Sequence, residues 1–351
     1  MKKLVFTLAV AALLASVSSC TKEKEGVYNP KQKIQSVYLE TKGYQENELV
    51  LDNPKFKSEV WAWNDNRLER ISYYDQATYY DESSTYTERE LIYTQLFSYD
   101  KNDRLTKCEI LGDLNMVATY TYDGNYLETI TISEEDSPMV SYHFNREKKK
   151  VTSIDMTINS ELLEKSVRNT KTAKMLDRTN PLRFVMTPEL AAHTMSATKD
   201  YAIRMAKKGC TKAESTFTLT VEWDGDNISK ISGTIMDMNA VLNFKYDNKN
   251  NPFYGLFDMS GVMEESMVFG PVLPMNKHNV TRIALSYTYG DESETESQDY
   301  SYTYNGKDYP TSKTIDETMP MTDWVYDEES GEWVIVELGN YRFVQTEYYE
   351  Y

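Results

Sequence analysis

A chain of 351 residues with 55 Asp and Glu against 38 Lys and Arg carries a formal charge of −17, which as a whole repels nucleic acid and anionic lipid headgroups. Its 28 Tyr, 11 Phe and 5 Trp are too many aromatics for a disordered chain. Tyrosine in this excess suits sheets with one wet face, because the ring covers a pleated surface while the hydroxyl stays solvated or finds a partner.

The N-terminus reads as an export signal. Lys2 and Lys3 precede an apolar run from Leu4 to Ala15, broken only by Thr7. About a dozen residues cannot span a bilayer core that needs about 20. The run ends in Val17-Ser18-Ser19 directly before Cys20, the lipoprotein cleavage pattern. Cleavage is therefore expected between Ser19 and Cys20, with the Cys20 thiol taking the lipid. Outer-membrane lipid is then a partner, through more than one acyl chain, since a single chain holds only marginally. Thr21-Lys22-Glu23-Lys24-Glu25 follows as a polar tether. It resembles the acidic export tag of Bacteroidetes-type surface lipoproteins, which implies the outer face of the outer membrane. Thus 1–19 is signal, 20–30 anchor and tether, and 31–351 one domain.

From residue 61 a short pattern recurs: aromatic, any residue, aromatic, an Asp/Asn-rich turn, then an aliphatic residue and another about three positions later. It reads WAWNDNRLERI at 61–71, FSYDKNDRLTKCEI at 97–110, YTYDGNYLETI at 120–130 and YHFNREKKKVTSI at 142–154. It returns as VEWDGDNISKI at 221–231, FKYDNKNNPFYGL at 244–256 and SYTYNGKDYPTSKTI at 301–315. Each copy is a β-hairpin in outline, with turn residues that tolerate positive φ; Asp123-Gly124 and Asp224-Gly225 are the strongest turns. Phe217, Leu219, Val221 and Trp223 alternate with Thr216, Thr218, Thr220 and Glu222, so one face is apolar and the other wet. The alternation pins the register.

Residues 157–213 break the pattern. Thr187 as N-cap, Pro188 at the first helical position and a run ending at Gly209 predict a helix. The segment carries eleven Lys and Arg against five Asp and Glu. It reads as a solvated connecting excursion or as a docking surface for acidic groups, with the acidic loop GDESETESQD at 290–299 a natural counter-charge. The chain ends in YRFVQTEYYEY, where Phe343 and Tyr349 are in phase with Gln345 and Glu347. Two polar residues on a lipid-facing strand argue for a soluble rather than a transmembrane barrel.

The hairpins resemble the YD repeats of bacterial surface and toxin-shell proteins, without their strict Gly-Arg turn. Lipobox, repeat and the YDNKNNPFYGL segment at 246–256 together resemble a family of Bacteroidetes lipoproteins of unknown function with a porin-like β-barrel fold. The likeness covers about 30–156 and 210–351. It implies location and fold, and brings no catalytic residues with it.

The expected architecture is all-β: a mostly up-and-down antiparallel β-barrel or strongly curled sheet of repeated hairpins, with one helical excursion near 187–209. The alternative is two smaller β lobes on either side of that excursion. Cys108 and Cys210 are a disulfide or two buried thiols. His143, His193 and His278 stand isolated, no HExxH, CxxC or G-x-S-x-G pattern occurs, and Asp224-x-Asp226 does not continue as a calcium loop. No catalytic residue, metal or cofactor is expected. Trp61, Trp63 and Trp223 are the candidate ligand residues, read as a stacking platform for a glycan or as sheet core, and the alternation favours core. The function expected is a non-catalytic, lipid-anchored envelope binding protein for a glycan or other nutrient. The alternatives are an adhesive protein-interaction lipoprotein, a transmembrane barrel, or a hydrolase with a carboxylate pair.

Overall fold

The computed structural model describes residues 24–81, 84–112, 116–134, 136–159, 214–235, 238–259, 270–289, 292–327 and 332–351. The export signal with Ser19 and Cys20, most of the basic segment with its expected helix at 187–209, and Cys210 lie outside these residues.

Seventeen strands form one antiparallel sheet. The first nine are β1 (Ser36–Gln45), β2 (Glu48–Asn64), β3 (Arg67–Asp81), β4 (Ser84–Tyr99), β5 (Leu105–Gly112), β6 (Met116–Asp123), β7 (Tyr126–Glu134), β8 (Ser137–Glu147) and β9 (Lys150–Asn159). The rest are β10 (Glu214–Asp224), β11 (Asn227–Ile235), β12 (Met238–Asn250), β13 (His278–Tyr289), β14 (Glu292–Asp299), β15 (Ser301–Tyr304), β16 (Pro310–Asp327) and β17 (Glu332–Glu350). Consecutive strands pair up and down, and β17 returns to pair with β1 from Ser36 opposite Glu350 to Gln45 opposite Tyr341. The ladder of β9 with β10 joins the strands on either side of the basic segment. The two-lobe alternative is thereby corrected: one sheet curls into a nearly closed barrel.

Its one irregular seam involves β14 and β15. β14 pairs with β13, Tyr300 donates its backbone N–H to Thr281, and below it β15 pairs with the foot of β16. Among the described residues β14 has no ladder with β16.

The hairpins at the end of the barrel that holds both chain ends, here the base, share one construction. Asp65, Gly124, Lys148 and Gly225 each open a two-residue turn with positive φ, which the Asp-Gly pairs announced. In seven hairpins a register shift follows, leaving one extra residue on the outgoing strand, such as Glu69, Glu128 or Thr152. The bulge explains the aliphatic pairs three residues apart. Side chains an odd number apart on a regular strand face opposite ways, yet Leu68 and Ile71, Leu127 and Ile130, and Val151 and Ile154 are all buried.

The second aromatic of five of the seven copies has a defined role, the exceptions being Phe144, which has no donor, and Tyr304, which donates to Asp247. Tyr99, Tyr122 and Tyr246 donate their hydroxyls to the carbonyls of Leu68, Leu105 and Ile228, and Trp63 and Trp223 donate their indole N–H to Ile34 and Val151, all at 2.6–2.7 Å. Tyr302 and Tyr351 do the same to Val280 and Pro310. The residue before several of these carbonyls is a cation lying over the donor's ring: Lys33 on Trp63, Arg67 on Tyr99, Arg104 on Tyr122 and Lys150 on Trp223. A ring of donors that must also be aromatic selects Tyr and Trp over Phe at this position.

Apolar side chains face inward and polar ones outward. Thr157 and Thr216 meet across the outer face, as do Asp155 and Thr218, Arg282 and Asp299, and Asp316 and Arg342. A bilayer-spanning barrel shows the reverse arrangement to lipid, where outward charges near the midplane cost about 2–4 kcal/mol each.

Two segments close the base. Residues 251–259 enter the interior, where Leu256, Phe257 and Met259 are buried, and receive hydrogen bonds from Tyr28 to Pro252 and from Tyr120 to Phe257. The N-terminal strap, 24–35, crosses beneath. Glu25 accepts from Leu127 N–H and Arg146, and Gly26 accepts from Leu105 N–H. A Cβ on Gly26 would stand 2.0 Å from the Tyr122 hydroxyl, and its φ is +76°, so only glycine fits.

Candidate functional site

The three tryptophans are parts of the fold. Trp61 is buried, stacks 6.4 Å from Trp63, packs on Phe253 and donates its indole N–H to Glu59 at 2.8 Å. Trp63 and Trp223 belong to the basal donor ring and are packed against the core. Their spacing of two on β2 puts Trp61 and Trp63 together on one face, and Trp223 lies on the separate hairpin of β10 and β11.

A different set converges above them. One interior row crosses five strands: Tyr349 lies opposite Val37, Val37 opposite Glu59, Glu59 opposite Tyr73, and Tyr73 opposite Tyr93. Tyr73 and Tyr93 stack at 4.3 Å. The row thus sets one carboxyl between Val37 and Tyr73. Beneath it, Gln95 is fully buried, donating to the Tyr73 hydroxyl at 3.3 Å and accepting from Cys108 Sγ and from the Met259 N–H. Tyr73 in turn donates to Asp258 at 3.5 Å. On the far side Glu347 accepts from the Tyr349 hydroxyl and pairs with Lys313 at 3.3 Å, and the Lys313 ammonium lies over the Tyr300 ring.

Electrostatics single out Glu59. It is enclosed by neighbours on all sides yet retains some accessible surface, so it faces space inside the barrel. Burial, with the Glu347 and Asp258 carboxylates adding to it, pushes its carboxyl up to about 8, against the Trp61 hydrogen bond and the Lys313 charge. At neutral pH it is mostly un-ionised. Tyr93 is 1% exposed, and its hydroxyl, near Gln95, makes no hydrogen bond of normal geometry. Gln298, one step above Tyr300 on the same face of the chain, is 2% exposed with both amide atoms unpartnered. Buried polar groups are nearly always hydrogen-bonded, so both are exceptions, as are Gln76 Oε1 and Arg146 Nε among the described residues.

Among the described residues no three His, Cys, Asp or Glu side chains converge closely enough to hold a metal ion. Cys108 is a buried thiol facing Gln95. At the base, a cleft of about 430 Å³ between the strap and the β2–β3 turn includes Tyr28, Asn64, Arg67 and Asp103, and Arg67 pairs with Asp103 there.

Alternation hinted at part of this site. Glu59 stands in phase with Trp61 and Trp63, and Glu347 with Tyr349, so each is an acid on an apolar face. Consecutive hairpins bring residues 37, 59, 73 and 93 into line, and only the closure of β17 on β1 adds Tyr349, which no short-range signal announces.

No protein-family model and no curated protein sequence matches the chain. Among solved structures it is similar to a porin-like protein from Bacteroides uniformis ATCC 8492, at 12% identity and a TM-score of 0.44, covering 93% of this chain and 99% of that one. A porin-like protein from Bacteroides vulgatus ATCC 8482 follows at 8% identity and a TM-score of 0.31, covering 91% and 98%. TcdB2-TccC3-TEV matches at 10% identity and a TM-score of 0.27, covering 80% of this chain and 14% of that one.

Proposed function

We propose that the chain is a lipid-anchored envelope protein that binds a small polar solute inside its barrel and performs no chemistry on it. The interior row from Tyr349 to Tyr93 carries this reading: a carboxyl bonded through one oxygen stands beside a stacked pair of tyrosine rings on the inner face of the barrel. The polar outer face supports a barrel held beside the membrane by lipid on Cys20 rather than one embedded in it. The lipobox and acidic tether support an outer-membrane, surface-facing location.

The location is tested by metabolic labelling with a fatty acid and by protease treatment of intact cells. Label on the wild type, none on Cys20→Ala, and degradation in intact cells are the expected results. A protein degraded only after lysis lies on the periplasmic side. Solute binding is tested by ligand-observed NMR with a mixture of envelope-relevant sugars, amino acids and amines, repeated with Tyr93→Phe; signals unchanged between the two proteins would remove the interior as the site.

A second reading has one observation in its favour. An un-ionised Glu59 near the Glu347 carboxylate is the pairing a hydrolase divides into acid and base. Turnover of any polysaccharide by the wild type, abolished in Glu59→Gln, would replace the non-catalytic reading.

A further inference from the structure

We infer that the interior row is a receptor for an organic ammonium group, held by the Glu59 carboxylate and the faces of the surrounding rings. This rests on the reading that the barrel interior is the binding site, and it names the class of solute.

The molecule already contains half of such an arrangement. Lys313 is a half-buried ammonium with a carboxylate, Glu347, on one side and the Tyr300 ring beneath it at 5.5 Å. Desolvated cation–π contacts of this kind contribute about 2 kcal/mol. Glu59 repeats the pattern on the adjoining strands without the cation. One of its oxygens accepts from Trp61, Tyr73 stands opposite it on β3, and Tyr93 and Tyr349 lie two strands away on either side of it in the same row. The Tyr93 ring stacks on Tyr73.

The alternatives by charge fit less well. An anion would meet Glu347 and Asp258, with Lys313 already engaged by Glu347. A bare divalent metal needs carboxylates that converge, and among the described residues none do so. A neutral apolar solute would leave Glu59 unsatisfied. An ammonium group offers donors to Glu59 and a positive charge to the rings.

Binding a cation must ionise Glu59, so it must release a proton at neutral pH. The groups facing Glu59 are Glu347 and Tyr349 from β17, Lys313 from β16, Asp258 from the inserted segment, Tyr73 from β3 and Tyr93 from β4. Of these only Glu59 is held near neutrality with its charge unbalanced, which makes it the source of the proton.

The experiment uses the full chain in a non-ionic detergent. Titration calorimetry is run with butylammonium and tetramethylammonium, and with butanol and butyrate as the neutral and anionic counterparts. At pH 7, in two buffers of different ionisation enthalpy, the cations should bind with release of a proton, and the counterparts should not bind. Affinity should rise as the pH passes through about 8 and level off above it. Glu59→Gln should abolish the proton release and weaken binding about tenfold or more, and Tyr93→Phe should weaken it several-fold. Near-UV circular dichroism shows whether each variant is folded. Butanol binding as well as butylammonium, with sensitivity to Tyr93→Phe, would overturn the ammonium inference and leave the interior site standing. Cation binding indifferent to both substitutions would place it elsewhere and overturn the inference. Silence from all four probes, and from the NMR mixture above, would remove the interior site altogether.

Discussion

The two sides of the barrel are built from the same hairpin but hold different interiors. From β6 to β12 the buried side chains above the basal turns are apolar or aromatic, as with Ile130, Ile132, Ile154, Met156, Ile231 and Leu242. From β16 through β17 and β1 to β4 the same inward positions carry Lys313, Gln345, Glu347, Glu59 and Gln95 beside tyrosines. Both sectors keep the same bulge and the same aromatic donor at the base. The difference teaches that the repeat specifies the wall and the base, while the residues farther up each strand decide what the wall encloses. One sector is a closed core that makes the barrel stable. The other is where stability has been given up for polar groups.

Core truncation should separate the two sectors most strongly. Ile130→Ala and Ile154→Ala each leave a cavity in a site with no polar partner and should cost about 2–5 kcal/mol in denaturant unfolding. Gln345→Leu in the polar sector replaces a buried amide with an apolar side chain of similar size and should cost less than either. Equal losses at all three sites would mean that the polar sector is as tightly packed as the apolar one, and the contrast would fail.

The next effect concerns pH and belongs to the polar sector alone. Glu59 has its folded value raised from 4.5 to about 8, so between these values the folded chain binds a proton that the unfolded chain has lost. Its contribution to stability is therefore present at low pH and disappears as the pH rises to about 8. Glu59→Gln removes this loss. The variant should match the wild type near pH 4.5 and exceed it at pH 8.5 by about 1–3 kcal/mol, a figure reduced for the carboxyl's partial exposure. A variant less stable than wild type at pH 8.5 would mean that the ionised carboxylate is favourable in the fold, the reverse of the assignment.

How far the sequence led is clearest from single residues. Asp123-Gly124 and Asp224-Gly225 announced their turns, and the alternation at 216–223 announced its faces. The spacing of Leu68 and Ile71 was visible too, but it conflicts with a period of two. The conflict is the mark of a bulge, and reading it so would have placed all seven. Trp61, Trp63 and Trp223 stood out because tryptophan is scarce here, whereas their N–H groups are occupied by Glu59, Ile34 and Val151. The row from Tyr349 to Tyr93 spans nearly the whole chain, and its Tyr349 end depends on which strand closes the barrel, a long-range fact with no local trace. Gln345 and Glu347 were noticed as polar residues on an apolar face; they line the interior.

The basal ring should respond in the same way on both sides, because both sectors share it. Tyr99→Phe in the polar sector and Tyr246→Phe in the apolar one each strip a hydroxyl from a partly buried carbonyl bond, at Leu68 and at Ile228. Each should cost about 1–2 kcal/mol. Costs that differed strongly between the two would show that the base, like the interior, is divided.

The smallest effect tests whether the strap clasps the two sectors together. Glu25 holds the apolar side, through the Leu127 N–H and Arg146, while a few residues on Ile34 takes the Trp63 indole on the polar side. The Glu25 carboxyl is raised by burial in spite of the Arg146 charge, so the ion pair recovers only part of what burial costs, and its net worth is small. Glu25→Ala should therefore lower global stability by about 1 kcal/mol or less. Its local consequence should be larger and one-sided. The Leu127 amide loses its acceptor, and the Leu105 amide, which donates to the adjoining Gly26, loses a neighbour that held its partner in place. Hydrogen exchange at these two amides should accelerate, while Ile154 and Ile231, deep in apolar ladders, keep wild-type protection. The indole N–H of Trp63 is the deciding probe. If it also exchanges faster, release at Glu25 has propagated along the strap and loosened the polar sector as well. If it does not, Ile34 and Tyr28 anchor their half of the strap independently, and the two sectors are joined by the sheet and not by the clasp.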